Sequence, residues 1–285
     1  MIKKVLFSFL SISLFLFLCL FVIRKQIQDD NIPAAPDFRD QRIMFIFPHP
    51  DDEITSVGTL KSLDSQNIPT ALLTFTRGEA GDHGGLVQET DPIRKKEKLG
   101  KIRYAELKAV GQLIGLDSQD ILNFPDSGLQ NIPADSIKKI ILSKIYQFRP
   151  TILFSYDDKV GLYGHLDHRL IARYTKEVFT ENVGKAAFPV RKLYQVTLPE
   201  PMIRLALKIS KGFQQNYPKD ASKGLPKPSF AVDIHDFGKF KRDAMLLHQS
   251  QKATFNDMQP YFDKISPEIY YRIFDKEYFS EVIIK

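Results

Sequence analysis

The chain has 285 residues, 43% of them hydrophobic and 26% charged, a balance that supports a full hydrophobic core and excludes a disordered or low-complexity protein. The formal charge is +6, but Lys3, Lys4, Arg24 and Lys25 contribute four of those charges within an acid-free N-terminal segment, leaving +2 for residues 26–285. A basic nucleic-acid surface is therefore excluded and no nucleic-acid partner is expected. The single cysteine, Cys19, excludes a disulfide framework and leaves the redox compartment unread.

In chain order, the nineteen residues from Val5 to Ile23 are interrupted only by serines and Cys19. At ~1.5 Å per residue this run matches a bilayer core of ~30 Å. No small-residue cleavage site follows it closely, and Leu16-Phe17-Leu18 lacks the small residues that precede a lipidated cysteine. The expectation is an uncleaved transmembrane helix: a single-pass membrane anchor over residues 1–25, oriented N-inside by Lys3 and Lys4, with the catalytic domain extracytoplasmic. Residues 26–41, QIQDDNIPAAPDFRDQ, carry two prolines without periodicity and read as a linker. A single domain is expected over 42–285.

From Arg42 onward, apolar β-rich runs alternate with helical stretches. Strands are expected at Ile43–Phe47, Thr70–Thr76, Ile121–Phe124 and Thr151–Tyr156, with helices at Ser56–Gln66, Arg94–Ile114 and Ala134–Phe148 between them. A further helix runs from His168 to about Thr180. Strands at Lys192–Thr197, Phe230–Ile234 and Tyr270–Phe274 follow, separated by helices near Pro201–Lys211 and Phe237–Gln249. The alternation predicts an α/β fold: a Rossmann-like, mostly parallel sheet with helices on both faces.

Two clusters carry chemistry. PHPDDE, residues 48–53, crowds three carboxylates and an imidazole at the end of the first strand, where an open α/β sheet gathers ligands. A divalent metal makes that crowding tolerable, because its charge turns repelling carboxylates into ligands or neighbours of a cation. Zinc accepts His and Asp donors, and a catalytic site uses three protein ligands plus water. His49 and at least one aspartate are on hand, and a third ligand must come from elsewhere. The chain has only six histidines, and two of them, His165 and His168, stand in GLYGHLDH directly after the strand Thr151–Tyr156. If that strand lies beside Ile43–Phe47, the two clusters meet.

PHPDDE followed by GHLDH resembles the PIG-L/LmbE-like zinc-dependent N-acetylglucosaminyl de-N-acetylases, with further likeness in TRGEAGD (76–82), RYAELKAVGQLIGL (103–116), FPDSGL (124–129) and HQSQ (248–251). The resemblance implies that His49, Asp52 and His168 bind zinc and that Asp51 is the general base. It gives His165 the oxyanion or the leaving amine, Tyr163 a place turning toward the oxyanion, and Asp167 the tuning of a neighbouring histidine. The implied partner is an N-acetylated amino-sugar conjugate. Leu166 stands where many relatives carry proline, a change expected to alter loop stiffness rather than ligation. Arg77 and Glu79 are candidate substrate-binding residues, Arg103 and Glu106 read as a structural pair, Asp126 and His248 stand open between pocket and scaffold, and His235 is read as structural.

Two other functions compete. One is a metal-dependent hydrolase of another bond, such as a phosphoester, although neither a GxxxxGK[ST] nor a GxSxG motif occurs. The other is a membrane-tethered glycan-binding protein without turnover, which would need neither Asp51 nor His165.

Overall fold

The computed structural model describes residues 18–284. Five strands, β1 (Ile43–Phe47), β2 (Thr70–Thr76), β3 (Ser118–Phe124), β4 (Ile152–Ser155) and β5 (Lys192–Thr197), pair in parallel. Two more, β6 (Phe230–Asp233) and β7 (Lys276–Glu281), extend the sheet antiparallel, in the order β3-β2-β1-β4-β5-β7-β6. Every residue of β1 and β2 is buried, as expected for central parallel strands covered on both faces.

The period-two alternation of β1 splits the core into two layers. Ile43, Phe45 and Phe47 pack with α1 (Val57–Ser65), the second half of α2 (Pro92–Ile114) and Met245 of a later helix. Met44 and Ile46 pack on the opposite side with Ile137, Ile141 and Ile145 of α3 (Ala134–Phe148) and Ile171 and Val178 of α4 (Leu166–Asn182). Helix α2 begins two residues before the expected Arg94, because the Asp91 side chain accepts the Arg94 amide and Pro92 takes the first turn. It ends at Gly115, whose φ of 79° suits a glycine C-cap.

Three expectations need correcting. Tyr270–Phe274 is not a strand: Pro267–Tyr270 forms a short helix, Tyr270 and Phe274 stack four positions apart with centroids 4.9 Å from one another, and the strand is β7. Glu277 hides β7 in the sequence, since a charged residue suggests solvent, whereas it is 3% exposed and paired with Lys241 at 2.6 Å. Strand β3 starts at Ser118, three residues before the apolar Ile121, because it is the sheet edge and tolerates polar residues. Residues 26–41 are no free tether: Gln28 donates to the Ile273 carbonyl at 2.6 Å, Ala34 bridges to Ala231, and Phe38 packs its ring on Phe154, Tyr194 and Phe230.

The expected anchor falls mostly on residues 1–17, outside the described residues. Residues 18–27 are helical, and Arg24 ties them to the domain through Asp275 at 2.7 Å. Among the described residues, no helix is long and apolar enough to cross a membrane.

Candidate active site

Strand β1 has β2 on one side and β4 on the other, and the chain leaves β1 toward α1 on one face but β4 toward α4 on the opposite face. Such a switch point opens a crevice at the carboxyl ends of the two strands. A cavity of about 210 Å³ lies there, lined by His49, Asp51, Asp52, Arg103, Asp126, Tyr163, His165 and His168 among others. The two histidine-bearing clusters do meet.

At its floor, three buried side chains converge. His49 Nδ1 and His168 Nε2 are 3.2 Å apart, and the two oxygens of Asp52 lie 3.5 Å from His49 Nδ1 and 3.1 Å from His168 Nε2. Tetrahedral ligands at ~2.1 Å from a zinc ion would be about 3.4 Å from one another. The spacing fits.

The outward nitrogens explain the tautomers. His49 Nε2 faces Asp126 at 3.1 Å and Asp167 at 3.3 Å, and His168 Nδ1 faces the Gly161 carbonyl at 3.1 Å. With protons on those nitrogens, the inner pair present two lone pairs to each other beside a carboxylate, an arrangement that a cation relieves. The field has the matching sign. Burial works against a charge on His49, but Asp126, Asp167 and Asp52 hold its pKa well above the ordinary value. Burial likewise works against ionised Asp52, yet His168 and His49 keep its pKa below the usual carboxylate range.

Backbone geometry holds these groups in place. Asp52 accepts the His49 amide at 2.7 Å and the Tyr156 hydroxyl at 3.1 Å. Tyr156 in turn stacks on His168 with ring centroids 4.5 Å apart. Gly161 has φ +61°, and a Cβ there would fall 2.7 Å from His168 Cβ, so the turn admits only glycine. Asp157, buried, accepts the amides of Lys159, Val160 and Gly161 and shapes the approach to that turn.

Around the floor stand the other predicted residues. Asp51 meets Arg103 at 3.0 Å, and burial, working against that guanidinium, raises its pKa to about 6. His165 accepts the Asp167 amide on Nδ1 at 3.2 Å, which caps α4 and places the proton of a neutral ring on Nε2. Burial, helped by the neighbouring His168 and His49, lowers its pKa to about 4, so the ring is neutral at pH 7. Tyr163 lines the cavity, and burial with nearby carboxylates raises its pKa, keeping the phenol protonated. Ligand-type atoms of His49, His165 and His168, and of His49, Asp126 and Asp167, also lie within 4.8 Å of one another. In the first set His165 Nδ1 is already engaged; in the second, both carboxylates sit on the outer nitrogen of His49.

Arg77 and Glu79 are not brought to the cavity. Arg77 lies over the Tyr104 ring, and Glu79 accepts the Asp126 amide at 2.8 Å, supporting the loop rather than lining the site. Arg103 and Glu106 do not pair with each other: Arg103 holds Asp51 and the carbonyls of Pro50 and Gly78, while Glu106 accepts from the Ser250 amide and hydroxyl. His248, fully buried, pairs with Glu53 at 2.6 Å and is part of the scaffold. The contacts of Asp126 with His49 and of Tyr156 with Asp52 had no local signal; the FPDSGL stretch was the only pointer to the first.

Residues 44–179 match the family described as PIG-L: GlcNAc-PI de-N-acetylase. A 1D-myo-inositol 2-acetamido-2-deoxy-alpha-D-glucopyranoside deacetylase from Mycobacterium sp. (strain JLS) is 26% identical over 232 residues, covering 74% of this chain and 74% of its own. Among solved structures, N,N'-diacetylchitobiose deacetylase from Pyrococcus horikoshii is similar with a TM-score of 0.60 at 20% identity, over 86% of this chain and 87% of that one. So is 4-carboxy-2-hydroxymuconate hydratase from Pseudomonas putida KT2440, with a TM-score of 0.62 at 14% identity, over 86% and 97%. Those two likenesses concern the fold, and a fold shared by a hydratase and a deacetylase does not by itself select a chemistry. The family match runs from β1 into α4 and takes in His49, Asp51, Asp52, Tyr163, His165, Asp167 and His168. Over that stretch, 136 of the 285 residues, the chain is similar to the PIG-L family of de-N-acetylases.

Proposed function

We propose that this deacetylase removes the acetyl group from an N-acetylglucosamine-type glycoside or glycoconjugate, with zinc held by His49 Nδ1, Asp52 and His168 Nε2. The observation that carries the reading is the buried convergence of His49 Nδ1 and His168 Nε2, 3.2 Å apart, with the Asp52 carboxylate, whose two oxygens lie 3.5 and 3.1 Å from them, in one cavity with Asp51 and His165. A divalent ion on those ligands supplies a Lewis acid for the acetamide carbonyl and lowers the pKa of water toward ~7. The chain's own groups then have distinct tasks. Asp51 takes a proton from the water whose oxygen bonds to the acetyl carbon. His165 Nε2–H and the Tyr163 hydroxyl donate to the oxyanion as it forms. When the C–N bond breaks, the proton held by Asp51 passes to the leaving nitrogen, giving a free amine and acetate. Asp126 and Asp167, on the outer nitrogen of His49, fix that ring.

Acetate counted from a panel of N-acetylated glycosides tests the reading. Release from N-acetylglucosamine glycosides supports it. Glycan binding without acetate release would favour the tethered binding protein, and phosphate release from phosphoesters another hydrolase.

The apolar run from Val5 to Ile23 supports a further element of the proposal, a single-pass anchor that keeps the domain at a membrane. Full-length protein is then expected to resist alkaline carbonate extraction; its appearance in the wash would remove the anchor from the account.

A further inference from the structure

Asp51 stands before the short helix Asp52–Ser56, where an aspartate usually spends its carboxylate capping the first amides, but its side chain makes no capping bond. Its backbone has φ 94°, a left-handed conformation that a non-glycine residue adopts only when its surroundings impose it. Two contacts impose it. The carboxylate meets Arg103 at 3.0 Å, and the amide donates to Glu53 Oε2 at 2.9 Å.

The second contact has a support of its own. Glu53 Oε1 lies 2.6 Å from His248 Nε2, across 195 positions of sequence. Glu53 is 1% exposed and His248 0%, so neither meets solvent, and neither lines the cavity. On its other side His248 faces Glu106 at 3.9 Å, and Glu106 is fixed by the amide and hydroxyl of Ser250. The HQSQ stretch thus closes onto the PHPDDE loop from behind. Nothing in the proposed mechanism uses Glu53 or His248, yet together they link the end of a distant helix to the amide of the strained residue.

We infer that Glu53 and His248 are positioning residues for Asp51: His248 fixes the Glu53 carboxylate, and Glu53 holds the Asp51 amide in the left-handed conformation that keeps its carboxylate in the cavity. The inference rests on the base role proposed for Asp51. If the Glu53 bond is lost, Asp51 can relax toward negative φ, which swings its Cα–Cβ bond away from the site. Zinc ligation and substrate binding, which do not run through Glu53, are left intact.

A double-mutant cycle on the full chain separates positioning from mere stabilisation, using the N-acetylglucosamine glycoside that gives the most acetate with the unaltered enzyme. Glu53→Gln and His248→Gln should each lower kcat about 10–100-fold, the usual cost of losing an outer hydrogen-bonding partner. KM should stay within about two-fold and bound zinc at the unaltered level. In an Asp51→Asn background the same substitutions should change kcat by less than about two-fold, because residues acting through one group are not additive. A merely structural role lowers the folded fraction and so costs the same factor in both backgrounds. Equal losses in both, a rise in KM at constant kcat, or loss of zinc would each overturn the inference. If Glu53→Gln does not fold, His248→Gln carried through the same cycle decides. Failure of the base assignment itself is visible separately, as near-unaltered turnover in the single Asp51→Asn variant.

Discussion

Asp51→Asn is expected to keep its fold and its zinc while losing 10²–10⁴-fold in turnover, roughly the full contribution of general acid–base catalysis. The two adjacent aspartates are held so differently that one substitution separates their roles. Asp52 is clamped by the His49 amide and the Tyr156 hydroxyl and lies against both histidine nitrogens. Asp51 is turned by its left-handed backbone toward Arg103 and the cavity. An asparagine there preserves size and can still bond to Arg103 through its carbonyl, but it cannot take a proton from water. The pH dependence has a definite sign. Burial raises the Asp51 pKa to about 6, and a base works only when ionised, so turnover should fall as pH drops below about 6. A cation bound nearby favours the carboxylate and moves that limb lower still, never higher. Asp51→Asn should lack the limb. Zinc content measured beside the pH–rate profile checks both statements, and unaltered turnover would take Asp51 out of the mechanism.

His168→Ala should release most of the bound zinc and abolish acetate formation with it. The imidazole is one of the three converging donor groups, and it is aimed by an outward contact to the Gly161 carbonyl and by the parallel face of Tyr156. The neighbouring imidazole, His165, spends Nδ1 on the Asp167 amide, so its neutral ring carries the proton on Nε2 and presents no lone pair to a metal there. Removing His168 also leaves Asp52 buried with one cationic or metal partner fewer, a position that costs stability when the charge is unpaired. Metal analysis of the purified variant is the check; a full complement of zinc in His168→Ala would contradict the ligand set.

How much of this could be read from the sequence follows from burial and from chain separation. Central strands β1 and β2 were legible because both faces are covered, β1 being continuously apolar and β2 made of apolar and β-branched residues. Strand β7 was not, because Glu277 and Lys276 look like surface residues, and the buried Glu277 is made tolerable by partners distant in sequence, the Lys241 ammonium, the Gly58 and Thr59 amides and the Thr59 hydroxyl. Phe38 sits in a stretch whose prolines and charges suggest a tether, and its docking depends on an aromatic pocket formed by Phe154, Tyr194 and Phe230, all more than a hundred positions away. In the site, His49, Asp52, His165 and His168 were legible because motif and strand end coincide twice. The contacts of Arg103 with Asp51 and of His248 with Glu53 were not, since no local spacing encodes a partner brought in by a helix crossing the far layer. Arg77 and Glu79 misled for a related reason. A loop after a strand points equally well at substrate or at its neighbour loop, and here Glu79 serves the amide of Asp126.

The most direct test of the central claim is acetate released from N-acetylglucosamine glycosides by one preparation, measured as purified, after chelation, and after zinc is restored. Metal-dependent de-N-acetylation through His49, Asp52 and His168 predicts release, its loss on chelation, and its return with about one zinc per chain. Undiminished acetate release from fully stripped enzyme would contradict it.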